Sequence, residues 1–312
     1  MFADLCMFVE TRKLNFLLSH IAIVFLRFAG LFPLSILLLL SSPIRWMLST
    51  LIKYRAIVIR KNISLAFHDL TEDRIKIMMK DYYTHLSHLL VENIRAQRMT
   101  SAEIKERCVM DESLLKYFNQ FYKEQKSFIV VMGHTGNWEW SGLATPPQVS
   151  HQVYALYRPL KNKLFDSFFY KFRTRTGMHL ISMQQALRVI HMNHQKPVCF
   201  TFIADQSPPP EHAVWTTFLN QETGFFKGYE VLARKYKLPV VYVSQKKEAP
   251  GRYRLFGELI TADASVESEN SIVLSFVTKL ERDIQNQPAC WLWSHRRWKH
   301  TRPAHLPLLS LK

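Results

Sequence analysis

The rhythm of apolar positions changes twice along this chain. From Leu14 to Met47 they run almost unbroken, interrupted only by Arg27, Gly30, Pro33 and a few small or polar residues. A membrane-spanning helix needs about 20 mostly apolar residues. The stretch therefore predicts one kinked spanning helix, a helical hairpin embedded in one leaflet, or a buried helix pair of a globular domain. From Asp69 to about Glu124 the spacing becomes helical and amphipathic. Thr71-Glu72-Asp73-Arg74 predicts a helix start with acids in its first turn, and Tyr82, Leu86, Leu89 and Leu90 fall near helical spacing.

Beyond Ser127 short apolar runs alternate with amphipathic segments. Strands are predicted over Phe128–Met132, Val153–Tyr157, Leu180–Ile181, Val198–Ala204 and Val240–Val243. Helices are predicted over Lys163–Thr176, Gln184–Asn193, Gly228–Tyr236 and Ser271–Gln285. Pro208-Pro209-Pro210 forces an extended loop. Such alternation predicts an α/β fold with a mainly parallel central sheet flanked by helices. The expected organisation is an apolar, membrane-anchoring helical segment over 1–50 and an α/β domain over 51–312.

Charge sharpens the first segment. The 312 residues carry a formal net charge of +16, which favours an anionic partner: nucleic acid, a membrane surface or an acidic substrate. No Asp or Glu occurs between Thr11 and His68, where Arg12, Lys13, Arg27, Arg45, Lys53, Arg55, Arg60 and Lys61 lie. Basic residues after Ser42 favour a cytoplasmic side for the C-terminal part of the chain and would face anionic head groups. A second cluster joins Arg158, Lys161, Lys163, Lys171, Arg173 and Arg175, and a third lies in the acid-free stretch from Ile284 onward. Cys6, Cys108, Cys199 and Cys290 are far apart and form no CxxC, so neither a metal site nor a disulfide framework is expected; Cys199 reads as a buried thiol.

Candidate chemistry sits at strand ends. Phe128–Met132 runs into Gly133-His134, and Glu139 follows five positions after the histidine. A histidine accepts a proton near neutral pH, and a carboxylate on its other nitrogen fixes the tautomer and stabilises the imidazolium. Arg158 and Asp205 end two further predicted strands. Parallel strands present their carboxyl ends on one edge, so His134, Glu139, Arg158 and Asp205 are expected to share a cleft, with Arg173 and Arg175 near its rim. Taken singly, each has a structural alternative: a helix cap for His134, a turn cap for Asp205, a surface ion pair for Arg158, a solvated helix residue for Arg173.

The order of these blocks resembles the bacterial lipid A biosynthesis acyltransferases, the late Kdo-dependent branch of the lysophospholipid acyltransferase superfamily. The resemblance covers nearly the whole chain. It joins the basic-flanked apolar N-terminus, Arg60-Lys61-Asn62-Ile63-Ser64-Leu65-Ala66-Phe67, Gly133-His134-x4-Glu139, Tyr157-Arg158-Pro159, the Arg173/Arg175/Gly177 block, Ala204-Asp205-Gln206 and Trp291-Leu292-Trp293-Ser294-His295-Arg296-Arg297-Trp298-Lys299. It implies a glycerolipid acyltransferase-like fold and acyl transfer from a thioester, on acyl carrier protein, to a hydroxyl of a lipid A precursor. It also implies His134 as general base, Glu139 orienting it, and Arg173 and Asp205 as further catalytic residues. Arg158, Lys161 and Arg175 are assigned to substrate binding. No cofactor or metal is expected. The implied location is the bacterial inner membrane, among its phospholipids, with the catalytic domain on the cytoplasmic side. The tail block is read as structural, with an arginine stacked on Trp291 or Trp298.

Three other readings remain open at this point. The same mechanism can serve another glycolipid or an aminolipid, with acyl-CoA as donor. A nucleic-acid-binding protein fits the charge, but no recognised nucleic-acid motif appears. A metal-dependent hydrolase would need a ligand cluster such as His-Glu-x-x-His, which is absent from the sequence. Acyl length and the hydroxyl used depend on pocket shape and are not written in the sequence.

Overall fold

The computed structural model describes the backbone of residues 12–310 and the side chains of residues 17–310. Cys6 and the first eleven residues of the expected membrane segment lie outside them. Helix α1 (Arg12–Ala29) ends at a turn over 30–32, and Pro33 caps α2 (Leu34–Leu39). Proline has no N–H to give and its fixed φ suits a helix start. After α3 (Ser41–Trp46) the helix widens into a π turn, Met47–Leu51. Leu34–Leu51 is thus one helical run of 18 residues with mean hydropathy 1.5, long and apolar enough to cross a membrane, and only 22% of it is buried. The apolar stretch is broken into two helices where Gly30 and Pro33 interrupt it. Leu26 and Leu34 nevertheless pack into the core of the α/β body.

Helix α4 (Ala56–Ala66) leads to the long α5 (Glu72–Ala96), then α6 (Ser101–Arg107), β1 (Cys108–Met110) and α7 (Glu112–Lys123). The alternating region follows: β2 (Phe128–Met132), α8 (Trp138–Ala144), β3 (Gln152–Tyr157), α9 (Lys163–Thr174), β4 (Met178–Ser182), α10 (Met183–Asn193) and β5 (Val198–Ile203). A hairpin of β6 (Ala213–Phe218) and β7 (Gln221–Phe226) precedes α11 (Gly228–Tyr236), β8 (Val240–Ala249), β9 (Arg252–Thr261) and α12 (Ser271–Asn286). The main sheet has seven strands in the order β1-β9-β8-β2-β5-β3-β4. All neighbours are parallel except β8 and β9. The α/β expectation holds, with an antiparallel strand that the sequence reading did not contain.

The sheet is covered on both faces, which is why β2 is apolar throughout and all five of its residues are buried. Side chains alternate between faces along a strand. Ile129, Val131, Phe200 and Phe202 meet Phe276 and Leu280 of α12 on one side. Val130, Met132 and Val153 meet Leu114, Phe118, Trp140, Leu143 and Phe172 on the other. Each such large apolar side chain contributes about 1.5–3 kcal/mol. The second face also holds the site.

Candidate active site

Register brings the site together. In the β2–β5 pairing Met132 lies opposite Ile203, and Ala204 N–H donates to the Met132 carbonyl at 3.0 Å. Continuing that offset past both strand ends places His134 beside Asp205. The two are joined twice: the His134 backbone N–H donates to Asp205 Oδ2 at 2.8 Å, and His134 Nδ1 lies 2.5 Å from Oδ1. A carboxylate only accepts, so Nδ1 carries a proton, and in the neutral imidazole the lone pair is then on Nε2. The Gln206 amide nitrogen stands 3.5 Å from that Nε2, and the Trp138 ring packs edge-on against the imidazole.

Asp205 is 2% exposed. Its third hydrogen bond comes from the Trp291 indole N–H at 2.9 Å. Burial works against ionisation of Asp205, but the charge and hydrogen bonds of His134, helped by Trp291, hold its carboxyl well below the usual carboxylate range. The expectation that Glu139 orients His134 is corrected here. Asn137 caps α8 by accepting from Trp140 N–H, so Glu139 falls in the first turn of that helix and turns to α9. There it takes Arg173 bidentately, at 2.8 Å from Nε and 2.5 Å from a terminal nitrogen. Burial opposes the Glu139 charge too, yet the Arg173 guanidinium, with His134 adding to it, keeps its carboxyl below the ordinary range. Four residues expected to act together therefore form two pairs, His134–Asp205 and Glu139–Arg173.

A network behind the loop fixes its path. Gly136 has φ +58, and a Cβ there would run into the Gln245 side-chain amide; only glycine suits both demands. Gln245 donates to the Asn137 carbonyl at 3.2 Å and to Ser141 Oγ at 2.9 Å. Glu92, fully buried on α5, accepts from Asn137 Nδ2 (2.9 Å), Gly251 N–H (2.8 Å) and the Tyr253 hydroxyl (2.7 Å). The tail closes the other side. Gly136 N–H donates to the Cys290 carbonyl, and Thr135 pairs with Trp291 as an isolated bridge. Asn62 in turn donates to the carbonyls of Trp293 and His295, each at 2.8 Å. The blocks over 60–67 and 291–299, far apart in sequence, are one support.

His134, Glu139 and Arg173 line a cavity of about 1210 Å³, and Asp205 is buried behind His134. Its deep wall is apolar: Leu114, Phe118, Val130, Leu143, Met178 and Leu255, all buried. Phe168, Phe169 and Phe172 of α9 also line it, whereas Phe165 packs in the core and Tyr170 packs edge-on against Tyr157 at the surface. Arg158, Lys299 and His300 line it as well, and Arg158 and Lys299 are exposed to solvent. Lys161 is exposed and outside the lining. Arg175 is exposed, and its guanidinium holds the Met99 carbonyl at 2.7 Å and the Ala96 carbonyl, capping the end of α5. His295 lines the cavity, with its pKa pushed down to about 4 by burial above all and then by the charges of Arg297, His134 and Lys299, against the pull of Asp205. Arg297 stacks over Phe225 at 4.4 Å, not over Trp291 or Trp298, and donates to the Gly224 carbonyl.

Gln206, Glu92 and Gln245 have no role in the sequence reading, and Trp291 enters it only as a stacking partner for an arginine. Glu92 left one signal, an acid adjoining the apolar run Leu89-Leu90-Val91. Among the described residues no cluster of His, Cys, Asp or Glu is arranged to hold a metal ion. Burial pushes the thiols of Cys108 and Cys199 up to about 12 and Cys290 to about 11, so none of them is a thiolate nucleophile at neutral pH.

Comparison with known proteins bears on this arrangement. The family profile described as "Bacterial lipid A biosynthesis acyltransferase" matches residues 8–300. The "Lipid A biosynthesis palmitoleoyltransferase" of Escherichia coli (strain K12) is 25% identical over 275 residues, covering 87% of each chain. The "Lipid A biosynthesis acyltransferase" of Shigella flexneri is similar to the same extent.

Proposed function

This chain belongs to the bacterial lipid A biosynthesis acyltransferases, and on that premise we propose that it moves a fatty acyl chain from acyl carrier protein to a hydroxyl of a lipid A precursor. The observation that carries the mechanism is the short His134–Asp205 contact at the wall of a cavity that is apolar in depth and basic towards solvent. His134 Nε2 takes the proton from the acceptor hydroxyl as its oxygen attacks the thioester carbonyl carbon. Asp205 holds the imidazole in the tautomer that leaves Nε2 free and stabilises the imidazolium. The tetrahedral intermediate then expels the thiolate, which takes the proton from His134, leaving an ester and a free thiol.

Glu139 keeps the Arg173 guanidinium fixed at the cavity wall, where its charge favours the developing oxyanion. Arg158, exposed on the lining, suits a phosphate of either substrate, since a guanidinium fork matches its oxygens. The deep apolar wall takes the acyl chain. The helices within residues 1–50 are assigned to the inner membrane, and the body over 51–312 to its cytoplasmic side. Exposed Val24, Phe25, Phe28, Leu31 and Leu39, each 59–76% accessible, support a membrane-facing patch.

The test is transfer in detergent from labelled acyl carrier protein to purified lipid A precursor, comparing wild type with His134→Ala. Transfer by wild type and its loss in the variant is the expected result. Equal activity in the variant would refute the mechanism. A folded wild type that transfers only from acyl-CoA, or only to another lipid, would refute the assignment of donor or acceptor.

A further inference from the structure

The catalytic cavity shares a wall with a smaller one. Gln97, Phe168 and Phe172 border both. The smaller recess, about 340 Å³, is otherwise lined by Arg27, Arg98, Lys171 and Arg175. It lies where α1, the turn after α5 and the outer face of α9 meet. Gly30 permits that meeting: a Cβ there would come within 2.8 Å of the Ile94 carbonyl oxygen and 3.4 Å of Arg98 Cγ.

The charge of this recess is unbalanced. No carboxylate lines it. Glu103, which acts electrostatically on Arg175, is already held by Arg95 at 2.9 Å and lies 3.7 Å from Arg107. Arg175 is engaged with helix-end carbonyls, but Arg27, Arg98 and Lys171 have no side-chain partner among the described residues. Cations converging on one recess repel each other unless an anion joins them. The location narrows the anion. Arg27 stands on α1 between Val24, Phe25, Phe28 and Leu31, which are 59–64% exposed. A basic recess at the edge of an exposed apolar face meets lipid head groups at the level of their phosphates.

We propose that this recess binds the phosphate of an amphiphile lying in the membrane plane. Arg27, Arg98 and Lys171 grip the phosphate oxygens, and the amphiphile extends past Phe168 and Phe172 towards the catalytic cavity. Where the amphiphile is the acceptor itself, the inference rests on the function proposed above; the phosphate site does not.

Binding is measured by calorimetry on the full chain in dodecyl maltoside micelles, with dodecyl phosphate as probe. The variant is Arg98→Gln combined with Lys171→Gln, both solvent-facing and outside the catalytic pairs, with its thermal midpoint checked against wild type. Loss of two charge-assisted contacts is expected to weaken dodecyl phosphate binding by roughly tenfold or more. Equal binding by the variant and wild type overturns the site. Inorganic phosphate binding as tightly as dodecyl phosphate overturns the assignment to an amphiphile. No turnover is needed for these measurements, so an error in the proposed acceptor leaves their result standing. A separate acyl-transfer series then tells the sources apart. A raised KM for the lipid acceptor in the variant places the acceptor's phosphate in the recess; an unchanged KM with lost binding places a surrounding phospholipid there.

Discussion

Replacing Asp205 with Asn isolates the histidine's tautomer from everything else in the site. The side chain keeps its shape, and both bonds now made to Oδ2, from His134 N–H and Trp291 N–H, can be kept by the amide oxygen. The amide nitrogen is then left facing His134 Nδ1, where Oδ1 accepts at 2.5 Å in the native protein. An NH2 group only donates, so Nδ1 must become the acceptor and the proton moves to Nε2. A protonated Nε2 cannot take a proton from the acceptor hydroxyl. In serine proteases the same exchange behind a catalytic histidine lowers kcat by about 10⁴. A loss of about 10³–10⁴ is expected here, or roughly 4–5.5 kcal/mol of transition-state stabilisation. The fold should lose less, about 1–3 kcal/mol for charge-assisted bonds made weaker. The assay is single-turnover transfer from labelled acyl carrier protein, read beside a thermal melt. A folded Asp205→Asn protein retaining kcat within about tenfold of wild type would refute the assignment of the dyad.

Val130→Phe fills the cavity's deep wall from the strand that leads into the His134 loop; it should shift preference towards shorter acyl thioesters, at about 1–3 kcal/mol in stability, as read by competition between donors of different length. Glu92→Ala removes the acceptor for Asn137 Nδ2, Gly251 N–H and the Tyr253 hydroxyl; a loss of roughly 3–5 kcal/mol is expected in denaturant melts, and an unaltered midpoint would contradict the network. His88 and His295 are held at about 4, by burial first and then by neighbouring positive charge including Lys247 for His88 and Arg297 for His295. Their folded pKa lies below the unfolded value of about 6.5, so their contribution to stability is fully present above that value and is lost as pH falls through about 4; thermal midpoints level from pH 7 to 4 would count against it.

The sequence exposed what local pattern controls. β2 (Phe128–Met132) and α11 (Gly228–Tyr236) fall at their expected bounds, because a strand covered on both faces and a capped amphipathic helix each write a continuous signature. The outer half of β8 did not read as strand, since Ser244-Gln245-Lys246-Lys247 alternates between interior and water instead of staying apolar. Its partner β9 carries the same alternation from Arg252, a period-2 signal available after the Pro250-Gly251 turn. The β6–β7 hairpin turns at Leu219 and Asn220, both left-handed as a two-residue turn requires, and of the two only the asparagine is a residue type that signals such a turn. In the site, the sequence supplied the residues and mispaired them. Spacing relates Glu139 to His134 along one segment, whereas the pairing with Asp205 follows from the register of two strands, which local spacing does not carry.

The tail's grip on the site has a consequence in the order of synthesis. His134 and Asp205 leave the ribosome well before Trp291, and Trp291 supplies both a bond to Asp205 and the bridge to Thr135. A nascent chain that ends before Trp291 therefore holds His134 and Asp205 without those two supports. They form only when the late segment packs back between Asn62 and the His134 loop. An acyltransferase built this way completes its site last, after both of the strands that carry it have been made.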